Sequence, residues 1–319
     1  MEAPPIKSLS KYLNSFIQAA AAAASIFAFI KIEEMVPNDY AGMIYAGFLV
    51  ALTLALAVYI FIIHSRKLHR YADIPPFLHH VNHTVRSMLT RTRQRMADGT
   101  LTSEDIEEIE LATISMLDSI AHCFSILTGC QCGVCIKELQ HGDQPRLRTV
   151  YRDSLSQHSR GGNDADQDPH PIEADTPCWE IFTGKVGCER GYLCNNVKLE
   201  WYRGKYKSPS FERNGGEPHS LNILGLKLIR GWNIRYKSAF VSPIRYRAYL
   251  RNGGNLPRPS VGSPPPSVRY WGFLCVDGNK RNLFSEDRHR DVLAAFSDAL
   301  FIYFNELHDI IDRYTKQQL

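Results

Sequence analysis

Two stretches near the end of the chain decide how the rest is read: YKSAFVSPIRY (Tyr236–Tyr246) and VRYWGFLCVDGNKRNLFSEDRHRDVLAAFSDALFIYF (Val268–Phe304). In the first, Ala239, Val241 and Pro243 alternate with Ser238, Phe240, Ser242 and Ile244. A period of two puts successive side chains on opposite faces of a strand. The second stretch opens with another apolar strand, Tyr270 to Val276, which the polar turn Asp277-Gly278-Asn279 ends. Ser285 then stands as a helix N-cap, with Arg288 rather than glutamate at the capping-box position. Leu293, Phe296, Leu300 and Tyr303 recur at helical spacing. Two strands and an amphipathic helix therefore share a core.

This unit resembles the C-terminal half of a GAF domain, the small sensor module related to PAS domains. The resemblance is carried by Ser238 to Pro243 on one strand, by Gly272-Phe273-Leu274-Cys275-Val276-Asp277 on the next, and by Phe284-Ser285-Glu286-Asp287 at the last helix. It spans about residues 104–313. The fold it implies is α+β, an antiparallel GAF-like sheet flanked by helices. The first domain helix would pack beside the last on a single face of that sheet, and those two helices would join a homodimer.

Upstream, Thr102-Ser103-Glu104-Asp105 has the capping residue and early acids of a helix start. Ile106, Ile109, Ala112, Leu117, Ile120, Phe124 and Leu127 form the apolar face of that helix. Two transmembrane helices are expected before it. Gly42 to Ile63 carries no charged residue and is long enough to cross ~30 Å of hydrocarbon as a helix; Leu13 to Ile30 is the second candidate. Lys7 and Lys11 precede the first span, and Arg66, Lys67 and Arg70 follow the second, while Glu33, Glu34 and Asp39 lie between. That asymmetry predicts a hairpin in the inner or plasma membrane with both termini cytoplasmic. Pro75-Pro76 breaks the helix that leaves the membrane. A basic amphipathic helix is expected after it, with Leu78, Val81, Val85, Met88 and Leu89 on one side and Arg86, Arg91, Arg93 and Arg95 elsewhere, suited to anionic lipid or to its own copy. The chain divides on this reading into a hairpin (1–71), a linker helix (72–101) and a sensor domain (102–319) that folds alone.

The eight cysteines form no regular framework and predict reduced thiols. Cys130, Cys132 and Cys135 have a zinc-like spacing, but Cys132 to Leu139 reads as a strand, on which residues three apart face opposite ways, so buried structural thiols and not a metal site are expected, and His79 with His83 lacks a third ligand. Gln157 to His170 reads as a polar loop and Asn252 to Ser267 as a Pro/Gly-rich extension. Thr176 to Phe182 reads as a short helix, capped by Asp175 or Thr176, with Pro177 in its first turn and Gly184 closing it; the resemblance places such a helix over the ligand pocket.

The net charge of +4 is concentrated: Lys198 to Arg251 holds twelve Lys or Arg against three Glu, interleaved with Tyr202, Tyr206, Trp232 and Tyr236. No DNA-binding motif accompanies this charge, so DNA is not an expected partner. An anionic small molecule, such as a nucleotide, is expected instead. Its site would comprise Trp179 and Phe182 as a stacking cover, the strand face Tyr236, Ser238, Phe240 and Ser242, and Arg235 and Arg245 for a phosphate. No cofactor is specified. The functional expectation is a membrane-anchored cytoplasmic sensor, not an enzyme, that passes ligand binding to its membrane helices or a partner. A nucleotide-gated membrane effector has the same layout. The remaining alternative is a thiol-dependent reductase of methionine sulfoxide, because GKVGCERGYLC, with Cys188 and Cys194, faintly resembles the cysteine segment of GAF-fold reductases; Lys185 or Arg190 would activate the thiolate.

Overall fold

The structure, a computed structural model, describes residues 38–140, 144–159, 169–174, 176–185, 187–188, 190–207, 219–223, 226–230, 236–247 and 268–318. The expected first span Leu13–Ile30, the extension Asn252–Ser267 and Arg235 lie outside the described residues, as does most of the loop at 157–170. The chain forms two compact units, Met1–Leu68 and His69–Leu319.

Helix α1 (Asn38–Ala72) covers the whole of the uncharged segment Gly42–Ile63. Val50, Leu54, Leu56, Ile60 and Phe61 on it are more than half exposed. Among the described residues, one helix is long and apolar enough to cross a membrane by length and composition alone, and it is not this one but α3 (Ser103–Thr128); α1 contributes a shorter apolar stretch, Val50–Ile62. Helix α3 is a core helix, with Met116, Leu117, Ile120 and Phe124 fully buried. Of the expected two-helix hairpin, the second span is helical, and the first lies outside the described residues.

In the second unit, helices α2 (Ile74–Ala97), α3 and α7 (Glu286–Gln318) pack together on one face of a sheet. The sheet has six strands in the order β3-β2-β1-β8-β7-β4, antiparallel at each pairing: β1 (Cys132–Gln140), β2 (Arg146–Arg152), β3 (His170–Pro171), β4 (Tyr192–Cys194), β7 (Ser238–Arg247) and β8 (Val268–Gly278). A separate hairpin pairs β5 (His219–Ile223) with β6 (Leu226–Arg230). Three short helices complete the set: α4 (Ser154–Ser159), α5 (Pro177–Phe182) and α6 (Val197–Tyr202). This is the α+β arrangement, antiparallel sheet with flanking helices, that the sequence implies.

The helix ends follow their local chemistry. Thr102 caps α3, its backbone N–H donating to Asp105 Oδ2 at 2.8 Å, and Gly129 ends it in the left-handed region at φ +67°. Arg70, in the last turn of α1, donates to the Leu127 carbonyl at 3.4 Å, a cation at the negative end of α3. At the start of α7 the partner of Ser285 is His289, not Arg288: the Ser285 N–H donates to His289 Nδ1 at 3.1 Å.

Helix α2 departs from the sequence reading. Val81, Val85, Met88 and Leu89 are buried in the main core against α3 and α7. Its arginines turn outward to acids of the neighbouring helices, Arg91 to Glu108, Arg93 to Glu306 and Arg95 to Asp105. The apolar stripe expected to meet lipid or a second copy is thus consumed inside the domain. On the outer faces of α3 and α7, the expected dimer surface, Ile106, Leu111 and Ile302 are exposed.

His289 sits edge-on to Phe124 and Phe284, its centroid 6.2 Å from each ring. Burial, and secondarily the Arg288 charge, push its imidazole down to about 4. The folded state binds the neutral ring, so this contribution is whole above the unfolded value near 6.5 and is lost as pH falls toward 4. Each tenfold change in proton affinity is worth about 1.4 kcal/mol, which puts a ceiling of ~3 kcal/mol on the loss at the acid end. Urea unfolding at pH 7 and pH 4.5 should show a smaller difference for His289→Gln than for the wild type; equal differences would place the acid sensitivity elsewhere.

Candidate functional site

The two faces of the sheet do different work. Cys132, Val134 and Ile136 of β1, Phe240 and Ile244 of β7, and Leu274 and Val276 of β8 point into the helix layer. The alternate residues point the other way, into a cavity of about 90 Å³. Its floor is Cys135 and Lys137 from β1, Ala239 and Val241 from β7, and Cys275 and Asp277 from β8. Leu147 and Arg152 of β2 and the segment from His170 to Glu173 form one wall. Thr176, Pro177 and Cys178 at the start of α5 form another, and Tyr206, Lys207 and Tyr236 close the remaining side.

Helix α5 is placed by its own cap. Thr176 Oγ1 accepts from the Trp179 N–H at 3.3 Å and donates to the Glu173 carbonyl at 2.7 Å, Pro177 occupies the first turn, and Gly184 follows at φ +67°. Of the two expected caps, Thr176 is the one used; Asp175 lies outside the described residues.

The cavity is polar at its ends and apolar between. Arg152 is 7% exposed, a guanidinium held almost wholly inside. Lys137 Nζ donates to Thr149 Oγ1 at 3.3 Å. The hydroxyls of Tyr206 and Tyr236 meet at 2.9 Å, and burial holds the Tyr206 phenol well above its ordinary range, so it stays a neutral donor. Lys137, Arg152 and Lys207, with His170 beside them, outnumber Glu173 and Asp277. Among the described residues no group of three or more His, Cys, Asp or Glu is arranged to hold a metal ion.

The residues expected to bind ligand are only partly brought together. Tyr236 lines the cavity. Trp179 and Phe182 pack in the apolar cluster under α5, where the Phe182 ring lies 5.7 Å from Tyr270. Ser238, Phe240 and Ser242 share the parity that faces the helices, which is the core face. Ser238 Oγ donates to the Asn195 and Lys280 carbonyls at 3.0 and 2.7 Å, and Phe240 packs against Phe284 at 5.9 Å. Ser242 and Arg245 instead line a separate open cleft beside α7, of about 740 Å³, with Arg190, Arg290 and Asp298. Arg245 donates to the Tyr270 hydroxyl at 3.3 Å, and that hydroxyl donates to the Ile181 carbonyl, also at 3.3 Å. Arg235 lies outside the described residues. The alternation of β7 is as read from the sequence; what was misassigned is which of its faces is dry.

Cys135, Cys178, Cys275, Lys137 and Arg152 were missed. The parity of CGVCIK already separated Cys132 from Cys135, and the structure places Cys132 toward the helices and Cys135 in the cavity. No sequence signal joins Cys178 to Cys275. The cysteines of the reductase alternative are not activated: burial raises the Cys188 thiol, and burial pushes Cys194 up to about 11.

No family model matches the chain, and no curated protein matches it. Solved structures do. The GAF domain of an Acinetobacter phosphoenolpyruvate-protein phosphotransferase is similar at 14% identity over 70% of this chain and 93% of that one, with a TM-score of 0.34. A far-red cyanobacteriochrome photoreceptor is similar at 15% identity over 69% of this chain and 98% of its own, with a TM-score of 0.37. A far-red-absorbing dark state with bound biliverdin IXa is similar at 12% identity over 68% of this chain and 97% of its own, with a TM-score of 0.30. These superpositions are loose, and the architecture described above rests on this chain's own strand register.

Proposed function

We propose that the protein is a membrane-anchored sensor whose GAF-like unit binds a small anion in the cavity between the sheet and α5. The observation that carries this reading is the charge of the cavity. Arg152 and Lys137 converge on an apolar floor beside paired tyrosine hydroxyls, the arrangement of few polar groups in a mostly apolar concavity that fixes a small ligand. Ligand-sized pockets run to roughly 300–1,000 Å³. At about 90 Å³ this cavity suits a species of a few heavy atoms, such as an oxoanion or a short carboxylate, and not the nucleotide expected from the sequence. The anchor in this reading is the exposed apolar helix α1, followed by the arginine and lysine that favour the cytoplasmic side. Occupancy would reach it through strands β1, β7 and β8, which carry cavity residues on one face and the packing of α2, α3 and α7 on the other.

A binding protein is preferred to the reductase because neither Cys188 nor Cys194 lines the charged cavity. The test is calorimetry of the full chain in detergent with inorganic phosphate, acetate and succinate at two salt concentrations. At least one is expected to bind, with affinity falling as salt rises. Lys137→Met, which keeps the stem and removes the charge, is expected to weaken that binding about tenfold, the worth of one charge-assisted hydrogen bond of ~1.5 kcal/mol. No binding across the panel, or no effect of Lys137→Met, would overturn the anion reading.

A further inference from the structure

Three of the eight cysteines meet in the cavity. Cys135 and Cys275 are directly opposite on β1 and β8, and Cys178 reaches them from the first turn of α5. Cys178 and Cys275 also pack in the same apolar cluster under α5, and all three are free thiols. Cys275 is the least buried of the three; Cys135 and Cys178 are buried.

The strand geometry distinguishes the two pairings open to Cys275. The Val134 N–H donates to Asp153 Oδ2 at 2.7 Å, and the Val134 carbonyl accepts from the Asp153 N–H at 3.0 Å. Both backbone groups of Val134 thus turn away from β8, so those of Cys135 turn toward it. Cys135 and Cys275 are therefore a hydrogen-bonded pair, the wider class with Cα atoms ~5.5 Å apart and side chains farther from each other than in the ~4.5 Å class. A disulfide needs Cβ atoms within about 3.5–4.5 Å, which rigid paired strands cannot easily supply there. Cys178 has no such restraint, because α5 is a six-residue helix joined to the sheet by side-chain packing and not by strand hydrogen bonds.

We propose that Cys178 and Cys275 form a reversible disulfide that ties α5 to β8 and closes the anion site. This rests on the cavity being that site. The oxidant is a hydroperoxide small enough to enter the cavity. The Cys275 sulfur attacks one peroxide oxygen, the O–O bond breaks, and water (or the alcohol) leaves with a proton. The Cys178 sulfur then displaces hydroxide from the resulting sulfenic acid, and that hydroxide leaves as water with the Cys178 proton. The sulfurs together lose two electrons, and the peroxide gains two. The neighbouring Cys135 and, least, Lys137 favour the Cys275 thiolate, but Cys178 and burial outweigh them and hold the Cys275 thiol well above its ordinary range, so the first step is slow. The device therefore answers sustained oxidation and not a brief pulse.

The test treats the full chain in detergent with hydrogen peroxide, removes the oxidant, and maps disulfides by mass spectrometry of a non-reduced digest. Phosphate binding is then measured before oxidation, after it, and after a thiol reductant. The expected result is a linked peptide pair carrying Cys178 and Cys275, with a tenfold or greater loss of phosphate affinity that the reductant reverses. Cys178→Ser is expected to abolish both the linkage and the difference between its own oxidised and reduced forms. A Cys135–Cys275 linkage, no linkage, or a Cys178–Cys275 linkage without change in affinity would overturn the proposal. If reduced protein binds no anion, the proposed function fails while the mass map still decides whether the disulfide forms.

Discussion

A fragment beginning at Thr102 is expected to lose cooperative unfolding, while one beginning at His69 keeps it. The sequence suggested the opposite, because the sheet and its two principal helices all lie beyond Thr102. The structure adds α2 to the core, with Val81, Val85, Met88 and Leu89 at 0, 7, 8 and 6% exposure. Each such side chain contributes about 1.5–3 kcal/mol on burial, so the four together contribute ~6–12 kcal/mol as an upper bound. A whole domain is stable by only about 5–15 kcal/mol. Removing α2 also uncovers apolar surface of α3 and α7 and strands Glu108, Glu306 and the buried Asp105 without their arginines. Urea titration followed by far-UV circular dichroism and tryptophan fluorescence checks this. A single sharp transition in the 102–319 fragment, close to that of the 69–319 fragment, would show that α2 is dispensable.

The second large effect is expected at Gly272. A Cβ there would lie 2.1 Å from the Lys137 carbonyl oxygen and 3.0 Å from its carbon, and both are backbone atoms of the neighbouring strand. Nothing flexible can move aside. Gly272 also belongs to a β-bulge: Ile244 pairs with Gly272 and Arg245 with Tyr270, so Trp271 and Gly272 together oppose a single position on β7. The extra residue sends Trp271 to the helix face, where it stacks on Phe304 at 4.0 Å, and leaves Tyr270 and Phe273 together in the cluster under α5. Gly272→Ala must push β1 and β8 apart or undo the bulge, at a cost of about 3 kcal/mol or more. Gly99→Ala is the control. Gly99 has φ +65° but no atom within 4 Å of an added Cβ, so it should cost only about 1–2 kcal/mol from the left-handed backbone. Equal losses at the two positions would mean that backbone conformation, not the close approach, governs Gly272.

The elements that were legible in the sequence are those whose signal is local. The alternation of Ser238–Ile244, the Thr102 and Thr176 caps and the Gly184 stop each depend on residues within one turn or one strand, and each is where it was read. The site was less legible because its parts depend on distant choices. Both faces of β7 carry a mixture, Ser/Phe/Ser on one and Ala/Val on the other, and only the packing of Phe284 onto Phe240 decides which is the core. The basic segment pointed to charge, yet the cavity draws Lys137 and Arg152 from β1 and β2, well outside it. For α2 the periodicity was right and its destination was not: an apolar stripe reads the same whether it meets lipid, a copy of itself or its own domain.

The two-faced strand β7 has a consequence for how substitutions in it can be interpreted. Phe240 and Ile244 hold the helix layer, while Ala239 and Val241 line the cavity, Val241 packing in the cluster beneath α5 and Ala239 against Cys194, Val197 and Tyr206. In a saturation screen scored separately for protein abundance and for ligand response, the damage along this strand should separate by parity. Large losses of abundance should fall at Phe240 and Ile244, and losses of response in protein that still accumulates should fall at Ala239 and Val241. One ribbon of backbone would thereby give two independent records, one of what the fold tolerates and one of what the ligand requires, interleaved residue by residue.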